Sequence, residues 1–339
     1  MVVMLSRGRR QPVWMYSRRT AWMAILLTCG VFWSLVAMGV NMWLLTETQS
    51  YVSLAWALLF SAVGVLLGVG YPSLKNKVMQ YRVRRLRRAI AHGDIRAWYQ
   101  PIVTGSQGHV SGCEVLARWH LPGGRVLGPE HFITLAEDNG LIVPMTRILV
   151  RQVCRDLARI QAWLPVGFDV SVNLSAAHAG SPQFLQDCRR LQRTLAERGG
   201  QVTAEVGERT LFLGVPGGHQ LLMALRDAGV RVMLDDFATG AQGLEALDTL
   251  PVDGFKIDRR HVRELACDGP VSMAELMIRL GHLMSLELVA EGVETQAQHE
   301  WLLAQGVFRQ QGYHFSAPLQ VDELALYLAC GGGIKGAVV

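Results

Sequence analysis

The sequence predicts an α/β protein: a (β/α)8 TIM-like barrel preceded by a two-helix transmembrane hairpin. Three observations lead there. Two long uncharged apolar runs lie near the start of the chain. Eight strand-like apolar runs then follow, most of them separated by amphipathic, helix-length segments. Finally, acidic and amide side chains gather at the C-terminal ends of those strands, where the βα loops of a barrel build a site.

The apolar runs are AWMAILLTCGVFWSLVAMGVNMWLL (21–45) and YVSLAWALLFSAVGVLLGVGY (51–71). Neither holds Asp, Glu, Lys or Arg, and each reaches the roughly 20 residues that cross a bilayer. A cleaved signal peptide needs an apolar stretch of only about 7–15 residues, and here a second span follows almost at once. Thr46 to Ser50 form the tip of the hairpin. Arg7, Arg9, Arg10, Arg18 and Arg19 precede the first span. Lys75, Lys77, Arg82, Arg84, Arg85, Arg87, Arg88 and Arg96 follow the second, and the tip carries only Glu47. Basic flanks on one side place both termini, and all that follows the second span, in the cytoplasm.

Charge sorts with this division. Thirteen of the 33 basic residues lie in the flanks, which leaves 20 against 26 acidic residues over 97–339. The overall charge of +5 is therefore a membrane-anchoring signature on a mildly acidic domain. The run Arg82–Arg88, next to a span, suits anionic lipid headgroups rather than DNA. Six scattered cysteines (Cys29, Cys113, Cys154, Cys188, Cys267, Cys330) form no CxxC pair, which argues against zinc and fits a reducing compartment.

The expected organisation is a basic N-terminus (1–20), the hairpin (21–71), a juxtamembrane basic helix (72–91), the barrel domain (92–329) and a tail (330–339). The helix turns at His92–Asp94. The eight strands are expected at 98–103, 109–119, 168–175, 202–208, 230–237, 254–258, 286–294 and 306–315. An open doubly wound sheet is the alternative, but no GxGxxG loop follows the first strand.

The strand ends carry Glu114, Asn173, Glu205 with Glu208, Asp235 with Asp236, Lys256 with Asp258, Glu291 and Gln311. Ordinary strand caps would mix Ser, Thr, Asn and Gly. Oxygen donors without His or Cys point instead to hard cations, Mg²⁺ or Mn²⁺. VMLDDFATG (232–240) shows the choice most sharply. Either the strand stops and Asp235 opens an exposed turn, or the Asp pair is one wall of a two-metal site acting on phosphate esters. Lys256 alone would be a solvated lysine; its place among carboxylates reverses that. Arg118 could simply pair with Glu114. Trp98, Trp119 and Trp163 read as packing residues, and His120, His178 and His314 near the rim receive no ligand role.

These motifs carry a resemblance. Residues 92–329 are similar to the EAL domain, the bacterial cyclic di-GMP phosphodiesterase family. YQPIV (99–103), EVLAR (114–118), PEHFITLAEDNG (129–140), NLS (173–175), DDFATG (235–240), LPVDGFKID (250–258), VAEGVET (289–295) and QGYHFSAP (311–318) match in order. The resemblance implies hydrolysis of cyclic di-GMP to linear pGpG by metal-activated water, with two ions of Mg²⁺ or Mn²⁺. It implies metal ligation by Glu114, Asn173, Glu205, Asp235 and Asp236. Lys256, Glu291 and Gln311 would serve the water and the metal site, and Glu208 would brace the loop 236–244. Gln100, Leu116 and Arg118 would contact the dinucleotide. The family further implies a homodimer through the barrel, and its bacterial setting makes the membrane crossed by the expected hairpin the inner one. Departures are Val115 for the usual Ala, Gly207 for Thr, Ala238 for Gly, and TGAQGL (239–244) on the metal-coupled loop. The competing expectation is a domain that binds cyclic di-GMP or a protein at the membrane without turnover.

Overall fold

The computed structural model describes residues 56, 58–61, 71–207, 215–237, 247–265 and 272–332, the side chains of 71–73 and 236 excepted. The chain divides into two compact units, residues 1–84 and 85–339. Nearly all of the expected hairpin, the loop around Ala238 and the residue Glu208 lie outside the described residues. Among the described residues no helix is long and apolar enough to cross a membrane.

Helix α1 (Tyr71–His92) ends where Gly93 takes a positive φ of 77°. Leu86, Ala89 and Ile90 on it are buried, one stripe at helical spacing. The strands follow as β1 (Ile95–Thr104), β2 (His109–His120), the short β3 (Val126–Leu127), β4 (Asp169–Leu174), β5 (Gln201–Gly207), β6 (Arg231–Phe237), β7 (Gly254–Ile257), β8 (Glu287–Ala290) and β9 (Arg309–Gln310). Their order, β1-β9-β8-β7-β6-β5-β4-β2 with β1 also paired to β2, closes an eight-stranded barrel, and β3 hangs on the end of β2. Every strand expected from the sequence is present; β8 and β9 are shorter, so Glu291 and Gln311 stand just past their ends.

The first strand departs from the all-parallel pattern. β1 runs antiparallel to both β2 and β9, while β2, β4 and the later strands pair in parallel. The reason is connection length. Only residues 105–108 separate β1 from β2, too few for a helical crossover, and Gly105 and Gly108 supply the positive φ values of a tight hairpin.

Between the parallel strands run α3 (Ile142–Arg159), α4 (Gln183–Leu195), α5 (Gly218–Asp227), α7 (Met273–Leu283) and α8 (Gln296–Ala304). The shorter α2 (Ile133–Asp138) and α6 (Arg259–Glu264) sit in loops, and α9 (Val321–Ala329) follows the barrel. Strand alternation explains where the core lies. Val170, Val172, Val202, Ala204, Val232, Leu234, Phe255, Ile257, Leu288 and Ala290 are buried on the outer face, under the helices. The other parity faces the lumen, which is layered. At its floor Asp169, Arg231, Glu287 and Arg309 close a ring of ion pairs: Arg231 bridges Asp169 and Glu287 at 2.6 Å each, and Arg309 bridges the same two carboxylates. Thr203 Oγ1 also donates to Asp169 at 2.9 Å. Gly112 and Gly254 face this layer, and a Cβ on Gly254 would stand 2.1 Å from the Glu287 carbonyl oxygen. Ile102, Met233 and Val289 form an apolar waist. Above it lies the polar mouth.

Candidate active site

The mouth is built on a lysine. Lys256, 1% exposed, projects from β7 into the barrel. Its Nζ lies 2.5 Å from Glu291 Oε1, 3.0 Å from Glu205 Oε2, 3.2 Å from Glu114 Oε2 and 3.7 Å from Asp235 Oδ1. These carboxylates come from β2, β5, β6 and the end of β8, so only barrel closure brings them together. Gln311 Nε2 donates to Glu114 Oε2 at 2.9 Å, and Asn173 Nδ2 donates to Glu114 Oε1 at 3.3 Å.

Electrostatics follow from the count. Burial works to lower the Lys256 pKa, but Asp235, Glu114, Glu205 and Glu291 hold it well above the ordinary lysine value. One ammonium cannot satisfy all four carboxylates. Burial raises Glu114, but Lys256 and the Gln311 and Asn173 amides outweigh it and leave its pKa lowered. Burial, with Glu114, Asp235 and Glu291 nearby, pushes Glu205 well above the carboxylate range. Glu291 is raised to about 8, by burial first and by Asp235 and Glu114 after it.

This donor set fits a hard divalent cation. It is all oxygen, it carries a surplus of negative charge, and Glu205 Oε2 and Gln311 Oε1 are buried without an aligned hydrogen bond. Among the described residues no three acidic, histidine or cysteine side chains already surround an open point at ligand geometry. The carboxylate oxygens are gathered on Lys256 instead.

Of the residues singled out in the sequence, Glu114, Asn173, Glu205, Asp235, Lys256, Glu291 and Gln311 meet here. The exposed-turn alternative at Asp235 fails, because β6 continues through Phe237. Asp236 lies in that strand, its side chain outside the described residues, as is Glu208 altogether. Gln100 is the register partner of Glu114, and Leu116 and Arg118 follow on the same face of β2. Arg118 forms no ion pair with Glu114: its Nη1 donates to the Ala117 carbonyl, and its guanidinium lies over Trp98. Trp119 packs edge-on against Phe132, as a core residue should, whereas Trp163 is 49% exposed. Sequence reasoning missed the floor ring. Its signal was the spacing of four that links Asp169 to Asn173, Arg231 to Asp235 and Glu287 to Glu291, which puts each pair on one strand face.

The EAL domain family matches residues 83–318, which include every residue of this cluster. The chain belongs to the EAL domain family. It is 39% identical over 254 residues to the probable cyclic di-GMP phosphodiesterase PdeG of Escherichia coli K12, covering 75% of this chain and 50% of that protein. It is 33% identical over 232 residues to the cyclic di-GMP phosphodiesterase PdeL of the same organism, covering 68% of this chain and 64% of that one. The chain thus spans less than two thirds of the length of these relatives. Among solved structures the EAL barrel is similar to the phosphodiesterase PaMucR in complex with c-di-GMP, at 30% identity and a TM-score of 0.61, covering 71% of this chain and 98% of that one.

Proposed function

We propose that this EAL protein is a membrane-anchored phosphodiesterase that opens cyclic di-GMP to linear pGpG. The observation that carries the proposal is the complete cluster of Glu114, Glu205, Asp235 and Glu291 around Lys256, set at the mouth beside Gln100, Leu116 and Arg118. Glu114, Asn173, Glu205 and Asp235, with Asp236 for a second ion, would hold Mg²⁺ or Mn²⁺. A divalent cation there supplies Lewis acidity, which makes water nucleophilic near neutral pH and stabilises charge on the phosphate.

The chain's own groups do the rest. Lys256, its pKa held well above the ordinary lysine value by the carboxylates around it, offers a positive charge beside the reacting phosphate. Glu291, with its Oε1 2.5 Å from Lys256 Nζ, holds that ammonium in place at the edge of the site. Gln311 orients Glu114 through its amide. The apolar waist and the ion ring close the barrel beneath, so the ligand approaches from the mouth.

Anchoring belongs to the same proposal. The uncharged runs 21–45 and 51–71 with their basic flanks support a cytoplasmic domain on an inner-membrane hairpin. The side chains of Trp56, Leu58, Leu59 and Phe60 are each more than half exposed, as lipid-facing residues would be. A homodimer through the barrel is the expected assembly. The test is incubation of the full chain in mild detergent with cyclic di-GMP and Mg²⁺ or Mn²⁺, followed by product chromatography. Linear pGpG that ceases to form in excess EDTA is the expected result; turnover that persists after the metal is stripped excludes the metal-dependent chemistry.

A further inference from the structure

The β1–β2 hairpin runs past the carboxylate cluster, and one of its faces is open at the mouth. Backbone pairing sets Gln100 opposite Glu114, Trp98 opposite Leu116 and Arg96 opposite Arg118. Alternate residues therefore share that face, and His120 ends the row on β2. Three of these side chains are joined. Trp98 Nε1 donates to His120 Nε2 at 3.3 Å, and the Arg118 guanidinium lies 5.9 Å from the centre of the Trp98 ring. The Trp98 and His120 rings stand 6.2 Å apart.

Arg118 is half-buried, and burial lowers its pKa, yet among the described residues no carboxylate pairs with it. Glu130 and Glu114 act on it only at longer range. Among the described residues its polar contact is the bond from Nη1 to the Ala117 carbonyl, 3.0 Å long. That is an unusual arrangement for a cation beside an acidic cluster. It leaves guanidinium donors available to a ligand, while the indole restricts how the fork can turn. A guanidinium stacked in advance loses less rotamer entropy when the ligand arrives. The indole is itself fixed only while His120 Nε2 can accept, which requires the neutral ring protonated on Nδ1. Burial and the nearby Arg96 lower the His120 pKa and favour that neutral form.

We infer that Trp98, braced by His120, is a positioning residue that presets Arg118 for a pair of acceptor atoms on the anionic dinucleotide. This face of the hairpin then sets affinity, while the carboxylate cluster sets turnover. The inference rests on the phosphodiesterase proposal above and adds to it two residues that the sequence assigned to packing or to no role.

The test uses the full chain in detergent, with steady-state kinetics in Mn²⁺ and calorimetric binding of cyclic di-GMP in EDTA. Trp98→Ala raises KM and Kd about three- to tenfold, the range of a cation–π contact, and lowers kcat by less. Trp98→Phe keeps a ring face under Arg118 and recovers most of the loss. His120→Leu weakens binding, and His120→Gln, which keeps an acceptor, restores it. On an Arg118→Ala background, Trp98→Ala adds less than about twofold, because the two side chains act as a unit. Should Trp98→Ala fail to fold, Trp98→Phe and the two His120 variants decide the matter. Additive losses on the Arg118→Ala background, or a fall in kcat with KM unchanged, overturn the inference. Wild-type protein that turns over while every variant matches it overturns the inference alone. Wild-type protein that neither binds nor hydrolyses cyclic di-GMP overturns the phosphodiesterase proposal with it.

Discussion

Lys256 and Glu205 meet at 3.0 Å although β6 lies between their strands, β7 and β5. The same ammonium lies 3.2 Å from Glu114 on β2, with three strands between β7 and β2 either way round, and that contact spans the lumen of a closed barrel. It makes one ammonium the electrostatic keystone for four carboxylates, and the consequences can be measured.

Replacing that ammonium should cost stability before it costs anything else. Lys256→Met keeps the length and apolar stem but leaves Glu114, Glu205, Asp235 and Glu291 facing one another. Removing one partner of a buried ion pair costs roughly 3–5 kcal/mol, and a cation bound only by the folded state offsets part of it. Melting of the variant in EDTA should fall well below wild type, and Mn²⁺ should raise it again. Equal melting temperatures in EDTA would show that the lysine does not hold the cluster.

The raised carboxylates make the metal-free protein sensitive to alkali. The folded-state pKa of Glu291 is about 8, against an ordinary value of 4.5 that it regains on unfolding. Between those values the folded chain binds more protons than the unfolded one, so stability falls as pH rises from about 5 to 8. Glu205 shifts in the same direction and adds to the slope. A divalent cation replaces those protons, so Mg²⁺ or Mn²⁺ should flatten the curve and stabilise most at the alkaline end. Thermal melts across pH in EDTA and in metal decide this; a curve in EDTA that rises over the window contradicts the assigned direction.

Asp235 separates a metal wall from a turn. Asp235→Asn keeps the size and one oxygen but removes the charge, so metal affinity and most activity should be lost. A surface turn residue would change stability by no more than about 0.5 kcal/mol and leave activity alone. Rates across a Mn²⁺ titration distinguish the two. Glu114→Ala should likewise abolish turnover while leaving membrane fractionation unchanged.

The barrel floor should tolerate no added bulk. A Cβ at Gly254 meets the Glu287 carbonyl oxygen at 2.1 Å, and backbone cannot rotate away as a side chain could. Gly254→Ala should destabilise by at least about 1–3 kcal/mol. Gly180→Ala is the control, because nothing lies within 4 Å of its added carbon. Denaturant midpoints compare them, and an unaffected Gly254→Ala would mean that β7 and β8 are not so close.

The sequence by itself determined the strands and the chemistry at their ends. Alternation is a local property, so VTAEVGE (202–208) and VRVMLDDF (230–237) announce both their extended form and the face that carries Glu205 and Asp235. Oxygen donors without cysteine or histidine likewise set the expectation of a hard cation. The antiparallel first strand was also within reach, since 105–108 is too short for a crossover. Only the tertiary structure decided which side chains meet. Periodicity tells which residues share a face of one strand, but barrel closure and stagger determine who stands across the lumen. Hence the sequence puts Lys256 among strand-end carboxylates, and the fold decides which four of them it meets. Arg231 and Arg309 read as unrelated basic residues, yet both close on Asp169 and Glu287. Trp98 reads as packing, but the register of one hairpin places it beneath Arg118 and against His120.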